Sequence, residues 1–345
     1  MRYFSSFTGA GGFDLAVPKD WECVGFSEID KYANMVLRYR FPDVKNYGDV
    51  NAIKWNEIPD FEVLFGGTPC QDLSLAGKRK GLAGERSGLF FKFVEALRAK
   101  KPEYFVWENV KGALSSNQGW DFAEVLNQFS EAGYNLWWQV LNAKYFGVPQ
   151  NRERIFIVGF RDRSPPEVFF EPEVSTENNE ANPIELTNGG GLGVKTGLYA
   201  VQAVLTPSRE KKRQNGRRFK NLEEPMFTLT GQDIHGVIIH NMQPRSPMRP
   251  SADRGGSGHL TKTDGTTYTI DTGNTNAVQL GNQIRRLTPR ECERLMSWPD
   301  DWARWGIDEK GNKVEISDTQ RYKMAGNGVV SNVVKWLIEH VILSD

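Results

Sequence analysis

From residue 2 to residue 160, short β-prone runs alternate with stretches whose apolar residues recur at helical spacing, an order few folds accept. The β-prone runs are 2–7, 22–26, 62–65, 103–107, 135–141 and 155–160. Between them, 31–39, 89–100 and 122–132 carry the helical pattern; Phe122, Val125, Leu126 and Phe129, for example, share one helix face. This alternation predicts an α/β domain built on a parallel sheet with right-handed crossovers, since parallel neighbours are reached only by crossing the sheet. Ligands in such sheets bind beyond the carboxyl ends of the strands. Residues just past each run are therefore the ones to inspect for function.

The texture changes at Ser164-Pro165-Pro166. From 164 to 284 the chain is rich in Gly, Asn, Thr, Ser and Pro, with only brief apolar runs such as Gly236-Val237-Ile238-Ile239. That composition predicts a smaller, loop-rich domain with short β pairings. From Leu287 the helical pattern returns, opened by Thr288-Pro289-Arg290-Glu291: an N-cap, a proline in the first turn, then an acid. A last helix is expected over about 329–343. The organisation is thus 1–163, an intervening 164–284, and 285–345 returning to the first part.

Several classes are excluded early. No run of about 18 apolar residues is present to span a membrane. The start, Met1-Arg2-Tyr3-Phe4, lacks the features of a secretory signal, and three scattered cysteines make neither a disulfide framework nor a zinc site. A reducing, cytoplasmic setting and no metal are expected. Lysine and arginine number 43, as do aspartate and glutamate, so the net charge is zero. Read as an average, that opposes a nucleic-acid partner.

Four local motifs carry chemistry. Phe7-Thr8-Gly9-Ala10-Gly11-Gly12 follows the first strand, and glycines there allow a sharp turn and close backbone approach to a ligand. Glu28 lies 21 residues beyond Phe7, at the end of the second strand, where an acid can accept from ribose hydroxyls. The spacing is not Gly-x-Gly-x-x-Gly, so it suits a nucleoside cofactor better than a dinucleotide. Next, Gly66-Gly67-Thr68-Pro69-Cys70-Gln71 places a cysteine just past an apolar strand. A buried, inert thiol is the plain alternative, but the Gly/Pro loop favours a nucleophile with an acid or base nearby. Glu108, in Trp107-Glu108-Asn109-Val110, is delivered to the same sheet edge. Gln150-Asn151-Arg152-Glu153-Arg154 brings two arginines to the mouth of that sheet, able to hold an acidic group.

In this order the motifs resemble those of the cytosine-5 DNA methyltransferases. The glycine run, Pro69-Cys70-Gln71, Glu108-Asn109-Val110 and Gln150 to Arg154 match in turn, as do 286–292 and Gly326-Asn327-Gly328-Val329-Val330 near the end. The resemblance covers about 2–160 and 285–345; the stretch between stands where the family has its variable target-recognition domain. It implies a Rossmann-like, S-adenosylmethionine-dependent methyltransferase domain. It further implies that Cys70 adds to cytosine C6, turning C5 into a nucleophile for the methyl group. Glu108 would answer the ring at N3 while Arg154 and Arg152 hold the base and organise Glu108. A protonated carboxyl in that role needs surroundings that raise its pKa.

For the cofactor, the resemblance implies Phe7, Gly9, Ala10, Gly11, Gly12, Glu28, Asp49, Val50, Pro69, Leu89, Asn327 and Val329. Ile29 stands where the family often has a tryptophan, offering apolar contact in place of an aromatic platform. Cys23 and Cys292 read as structural.

The duplex hides the target carbon, so the base must be flipped out. The loop after Cys70, with Gln71, Ser74, Lys78, Arg79 and Lys80, suits closure over DNA. In the middle region, 209–220 holds seven basic residues and one acid, among them Arg209, Lys211, Lys212, Arg213, Arg217 and Arg218; Arg245, Arg249 and Arg254 follow. Thr228-Leu229-Thr230 fits the family's recognition dipeptide, with Tyr268-Thr269-Ile270 as its rival. The net charge of zero then reads as local basic loops beside an acidic domain.

The implied partners are double-stranded DNA and S-adenosyl-L-methionine, with a cognate restriction endonuclease as a functional partner only, and a monomer is expected. Motifs that begin at residue 3 suggest a compact prokaryotic or phage type. The alternative is a tRNA cytosine-5 methyltransferase of the same fold; its Cys-Phe-Thr triplet includes none of the cysteines here.

Overall fold

In the computed structural model the described residues are 1–69, 88–168, 170, 204–205, 235–236, 239–241, 260–262, 266–270, 272, 276–280 and 283–344. Six strands form the central sheet: β1 (Arg2–Ser6), β2 (Glu22–Ser27), β3 (Val63–Gly66), β4 (Tyr104–Val110), β5 (Asn135–Asn142) and β6 (Glu153–Phe160). Their order is β2-β1-β3-β4-β6-β5. β1 pairs in parallel with β2 and β3, and β3 with β4. The expectation of a wholly parallel sheet needs correction at one strand. β6 runs antiparallel to both β4 and β5. The link from β5 to β6 spans only 143–152, too short for the crossover of a dozen or more residues that a parallel neighbour demands.

Alternation along the strands sorts the core into two layers. On β4, Phe105 and Trp107 join Phe4, Leu64, Ile155 and Ile157 on one face. Two helices cover that face: α2 (Gly88–Lys100) and α3 (Trp120–Glu131), with Phe90, Phe93, Val94, Leu97, Val125 and Phe129 buried against it. Each such side chain contributes about 1.5–3 kcal/mol when fully buried. Tyr104, Val106, Phe156 and Val158 point to the other face and pack with α1 (Lys31–Arg40) and the C-terminal elements. Those elements are α4 (Pro289–Leu295), α5 (Asp318–Asn327) and α6 (Ser331–Leu337), the last continuing as a π-helical turn over Ile338–Ile342. The last 60 residues thus complete the first domain's core, with Cys292, Leu295, Val334 and Leu337 all nearly inaccessible.

The sequence signals at Thr288 are realised as a full capping box: Thr288 Oγ accepts from the Glu291 N–H while the Glu291 carboxylate accepts from the Thr288 N–H. Two C-terminal features have no counterpart in the sequence reading, the helix α5 and a hairpin of Trp305–Ile307 with Lys313–Glu315. Within 164–284 the described residues pair in short strands. Ile239–Asn241, Leu260–Lys262, Asn276–Leu280 and Gln283–Arg286 make one antiparallel sheet, and Val204–Leu205 pairs with His235–Gly236. No helix among the described residues is long and apolar enough to cross a membrane.

Candidate active site

The order β2-β1-β3 makes a topological switch point between β1 and β3, where successive connections leave the sheet in opposite directions. A cavity of about 630 Å³ opens there, lined from the carboxyl ends of β1, β2, β3 and β4 and from α5.

The glycine run forms its first wall. Phe7 closes β1 with φ +53° and Gly9 follows at +57°, both left-handed; the first is unusual for a residue with a side chain and marks a strained, held turn. What holds it is Glu28. One carboxylate oxygen accepts from Gly9 N–H at 2.6 Å, and the other from Ile29 and Asp30 N–H at 2.8 and 2.7 Å. Burial pushes the Glu28 carboxyl up, and these amides pull it back. Asp30 then caps α1, accepting from Tyr32 and Ala33 N–H, and its second oxygen takes Lys323 Nζ of α5 at 2.6 Å.

Of the cofactor residues expected, Phe7, Gly9, Glu28, Ile29, Asp49, Val50, Pro69, Leu89 and Asn327 line the cavity. Ile29 is 73% exposed, an apolar side chain standing on the rim. Ala10, Gly11, Gly12 and Val329 do not line it. Gly11 packs against the end of α1, and the others join the loop to the C-terminal segment. The Ala10 carbonyl accepts from Trp302 Nε1 at 2.7 Å, Phe41 lies beside Gly11, and Val329 packs on Gly12, each approach closing a gap between core elements.

The second wall is built by β3, β4 and β6. Glu108 pairs in register with Phe156, so Arg154, two residues away on the same face of β6, is its diagonal neighbour. Arg154 Nε meets the Glu108 carboxylate at 3.0 Å, both side chains being 16% exposed. Burial pushes the Glu108 carboxyl up, opposed first by Arg154 and then by Arg152. Its other oxygen lies against Gly67, where a Cβ would come within 3.0 Å; glycine is what lets the β3 loop close over the acid. Trp107 Nε1 donates to Thr68 Oγ at 3.1 Å and Asn109 Nδ2 to the Thr68 carbonyl at 3.4 Å. β4 therefore sets the segment 67–69 that leads to Cys70.

Gln150, Arg152 and Arg154 alternate, so all three turn to one side while Asn151 is exposed and Glu153 pairs with Lys111. Arg152, expected to hold the base with Arg154, has backbone partners. It is 3% exposed and lines the cavity, but its guanidinium donates to the carbonyls of Ile270, Gly326 and Gly328. Burial lowers its pKa well below the usual arginine value, helped by Arg154 and opposed by Glu108.

Cys70, Gln71, Ser74, Lys78, Arg79, Lys80, Arg209, Lys211, Lys212, Arg213, Arg217, Arg218, Thr228, Leu229 and Thr230 lie outside the described residues. Sequence reasoning missed Thr68, Asp30 and Lys323. Asp30 carried a signal, an acid directly before a helical pattern. Lys323 carried none, because its partner lies 293 residues away.

Comparison with known proteins places the chain in a family. A family model described as C-5 cytosine-specific DNA methylase matches residues 1–343. The orphan methyltransferase M.Rho11sI of Bacillus phage rho11s is 44% identical, over 99% of this chain and 98% of its own. The type II methyltransferase M.HhaI of Haemophilus parahaemolyticus is 31% identical over 99% and 94%. Among solved structures, the S. pombe Dnmt2 methyltransferase superposes with a TM-score of 0.61 at 18% identity, covering 98% and 97% of the two chains, which establishes a shared fold.

Proposed function

Since the chain belongs to the C-5 cytosine-specific DNA methylase family and is a DNA (cytosine-5) methyltransferase, we propose that it works through a covalent Cys70–C6 adduct on a cytosine flipped from duplex DNA. The observation that carries this reading is the sharing of one cavity by two differently built acids. Glu28 stands with the glycine turn at one end, and Glu108 with Arg154 and the approach to Cys70 at the other.

The near end fits S-adenosylmethionine. Glu28 has spent three of its roughly four acceptor positions on backbone amides, leaving about one for a ribose hydroxyl. Asp49 accepts from the N–H and side-chain amide of Asn51 and presents a carboxylate in the wall, suited to an adenine amino group. Ile29 and Leu89 supply apolar contact, and Asn327 stands at the α5 end of the wall. Bound there, S-adenosylmethionine supplies an electrophilic methyl group.

At the far end, the Cys70 thiolate attacks C6 and electron density moves onto the ring toward N3. Glu108, its carboxyl pushed up by burial, donates a proton there and removes the need to hold bare negative charge. Arg154 fixes the Glu108 carboxyl in orientation while leaving its second oxygen directed toward Gly67 and the approach to Cys70. After methylation the C5 proton departs to a base, the C5–C6 double bond re-forms, and the thiolate leaves. Lys78, Arg79 and Lys80 with the basic stretch 209–220 hold phosphates, so binding weakens as salt rises, because releasing condensed counterions then gains less entropy. The protein acts as a monomer in the cytoplasm, protecting sites against a cognate endonuclease.

Duplex DNA carrying 5-fluorocytosine tests the adduct, because fluorine at C5 blocks the release step. A denaturation-resistant protein–DNA species is expected with the wild type and not with Cys70→Ala. Equal trapping by the two proteins would refute the covalent step.

A further inference from the structure

Residues 149–152 grip two distant parts of the chain at once. On one side they receive 266–270, the described residues returning from the middle region. Thr267 N–H donates to the Pro149 carbonyl at 2.6 Å, and the Thr267 carbonyl accepts from Asn151 N–H at 3.0 Å. Thr269 Oγ donates to the Asn151 carbonyl at 2.9 Å, and Ile270 N–H to the Gln150 side-chain oxygen at 3.0 Å. On the other side stands the cavity wall. Arg152 Nη2 donates to the Gly326 and Gly328 carbonyls at 3.1 and 2.7 Å, either side of the wall residue Asn327, while Nη1 donates to the Ile270 carbonyl at 3.2 Å.

One planar group thus ties the return segment of the middle region to the loop that closes the cofactor end. Its fork is rigid, so a displacement at Ile270 is passed to 326–328 rather than absorbed, which a flexible lysine ammonium does not reproduce. Its Nε has no hydrogen-bond partner among the described residues. All three of its described hydrogen bonds go to these two segments.

We propose that Arg152 is a positioning residue that couples the DNA-recognition region to cofactor retention, a step beyond the base-holding place the family resemblance gives it. The proposal rests on the reading of the cavity as the S-adenosylmethionine site. Coupling between sites is reciprocal, so whatever the ordering of 266–270 adds to cofactor affinity, bound cofactor returns to the ordering of 266–270 as the same coupling free energy. Either direction can be measured.

The cleaner direction needs no DNA. Hydrogen–deuterium exchange is followed on the full chain with and without S-adenosylhomocysteine, in the wild type, R152K and R152Q. In the wild type the ligand slows exchange at 326–330 and also at the Thr267 and Ile270 amides, the latter by about five- to tenfold, the lower part of the range for coupled sites. In either variant the slowing persists at 326–330 and falls below about twofold at 267–270, a threshold under that same range. A purely structural arginine would raise exchange in both segments without altering the ligand-dependent ratio. Retention of that ratio in R152K would overturn the proposal. So would wild-type protection confined to 326–330, an outcome that needs no variant to fold. If the ligand protected neither segment, the cofactor reading itself would fall and take the coupling with it.

Discussion

Two carboxylates stand at the carboxyl ends of strands in one sheet, both half-buried and both pushed toward the neutral form by desolvation, yet their partners differ in kind. Glu28 is answered by three backbone amides fixed by the turn and the start of α1. Amides cannot swing away or exchange a charge, so this acid is an anchor: it keeps the glycine turn in its left-handed shape and offers what acceptor capacity remains. Glu108 is answered by a single guanidinium at one oxygen, and its other oxygen faces a glycine. Such a group can hold a proton, pass it and recover it. On the proposed reading, the partners and not burial alone separate the acid that binds from the acid that reacts.

That contrast can be broken most forcefully at Glu108. Replacement by Gln keeps the shape and removes the transferable proton, so kcat should fall by about 10²- to 10⁴-fold, the usual worth of a general acid. Steady-state kinetics should show the cofactor KM almost unmoved. The wild type should also lose activity as pH rises through the elevated Glu108 pKa, because the working form is protonated below it. A pH profile for Glu108→Gln lacking that limb would sharpen the assignment.

Glu28→Ala should reverse the pattern. Losing the acceptor of charged hydrogen bonds worth about 1.5–3 kcal/mol, it should raise the cofactor KM about 10- to 100-fold, with a much smaller fall in kcat. Titration calorimetry with S-adenosylhomocysteine gives the same quantity without turnover.

A third carboxylate, the buried Asp14, lies outside the cavity and shows what burial does without strong partners. Its carboxyl is pushed up to about 7, chiefly by desolvation, with Tyr3 and Ser5 opposing, and one oxygen has no hydrogen-bond partner among the described residues. A folded pKa above the unfolded one means the native state binds the extra proton, so stability falls as pH rises from the unfolded pKa through the folded one. Between about pH 5.5 and 8 that amounts to about 2 kcal/mol from this group. Asp14→Asn should flatten this slope in denaturant titrations, leaving a variant less pH-sensitive than the wild type.

The smallest effect is expected at the rim. Ile29→Trp would place an aromatic face where a 73%-exposed isoleucine now stands, and should tighten cofactor binding about two- to tenfold. Unchanged affinity would mean that Ile29 does not face the adenine.

How far these features could be read from sequence depended on the range of the contact. Glu28, Glu108 and the glycine turn stood out because each lies at or just past the carboxyl end of a strand, and Arg154 because it opens the strand that follows the Gln150 motif. The direction of β6 was hidden, since an apolar run is the same read either way and only the short link from β5 decides it. The carbonyl partners of Arg152 were not legible, since its hydrogen bonds span 118 to 176 residues. The Asp30–Lys323 pair and the Trp302–Ala10 contact were beyond reach for the same reason. Local pattern places a residue at the sheet edge; which distant segment meets it there is settled by packing.

The central claim is tested most directly on DNA itself. Genomic DNA free of cytosine methylation is incubated with the purified protein and S-adenosylmethionine, and its modified bases are mapped by sequencing. The expected result is 5-methylcytosine confined to one short sequence, absent when Cys70→Ala replaces the wild type. Unmodified DNA alongside methylated tRNA under the same conditions would contradict it.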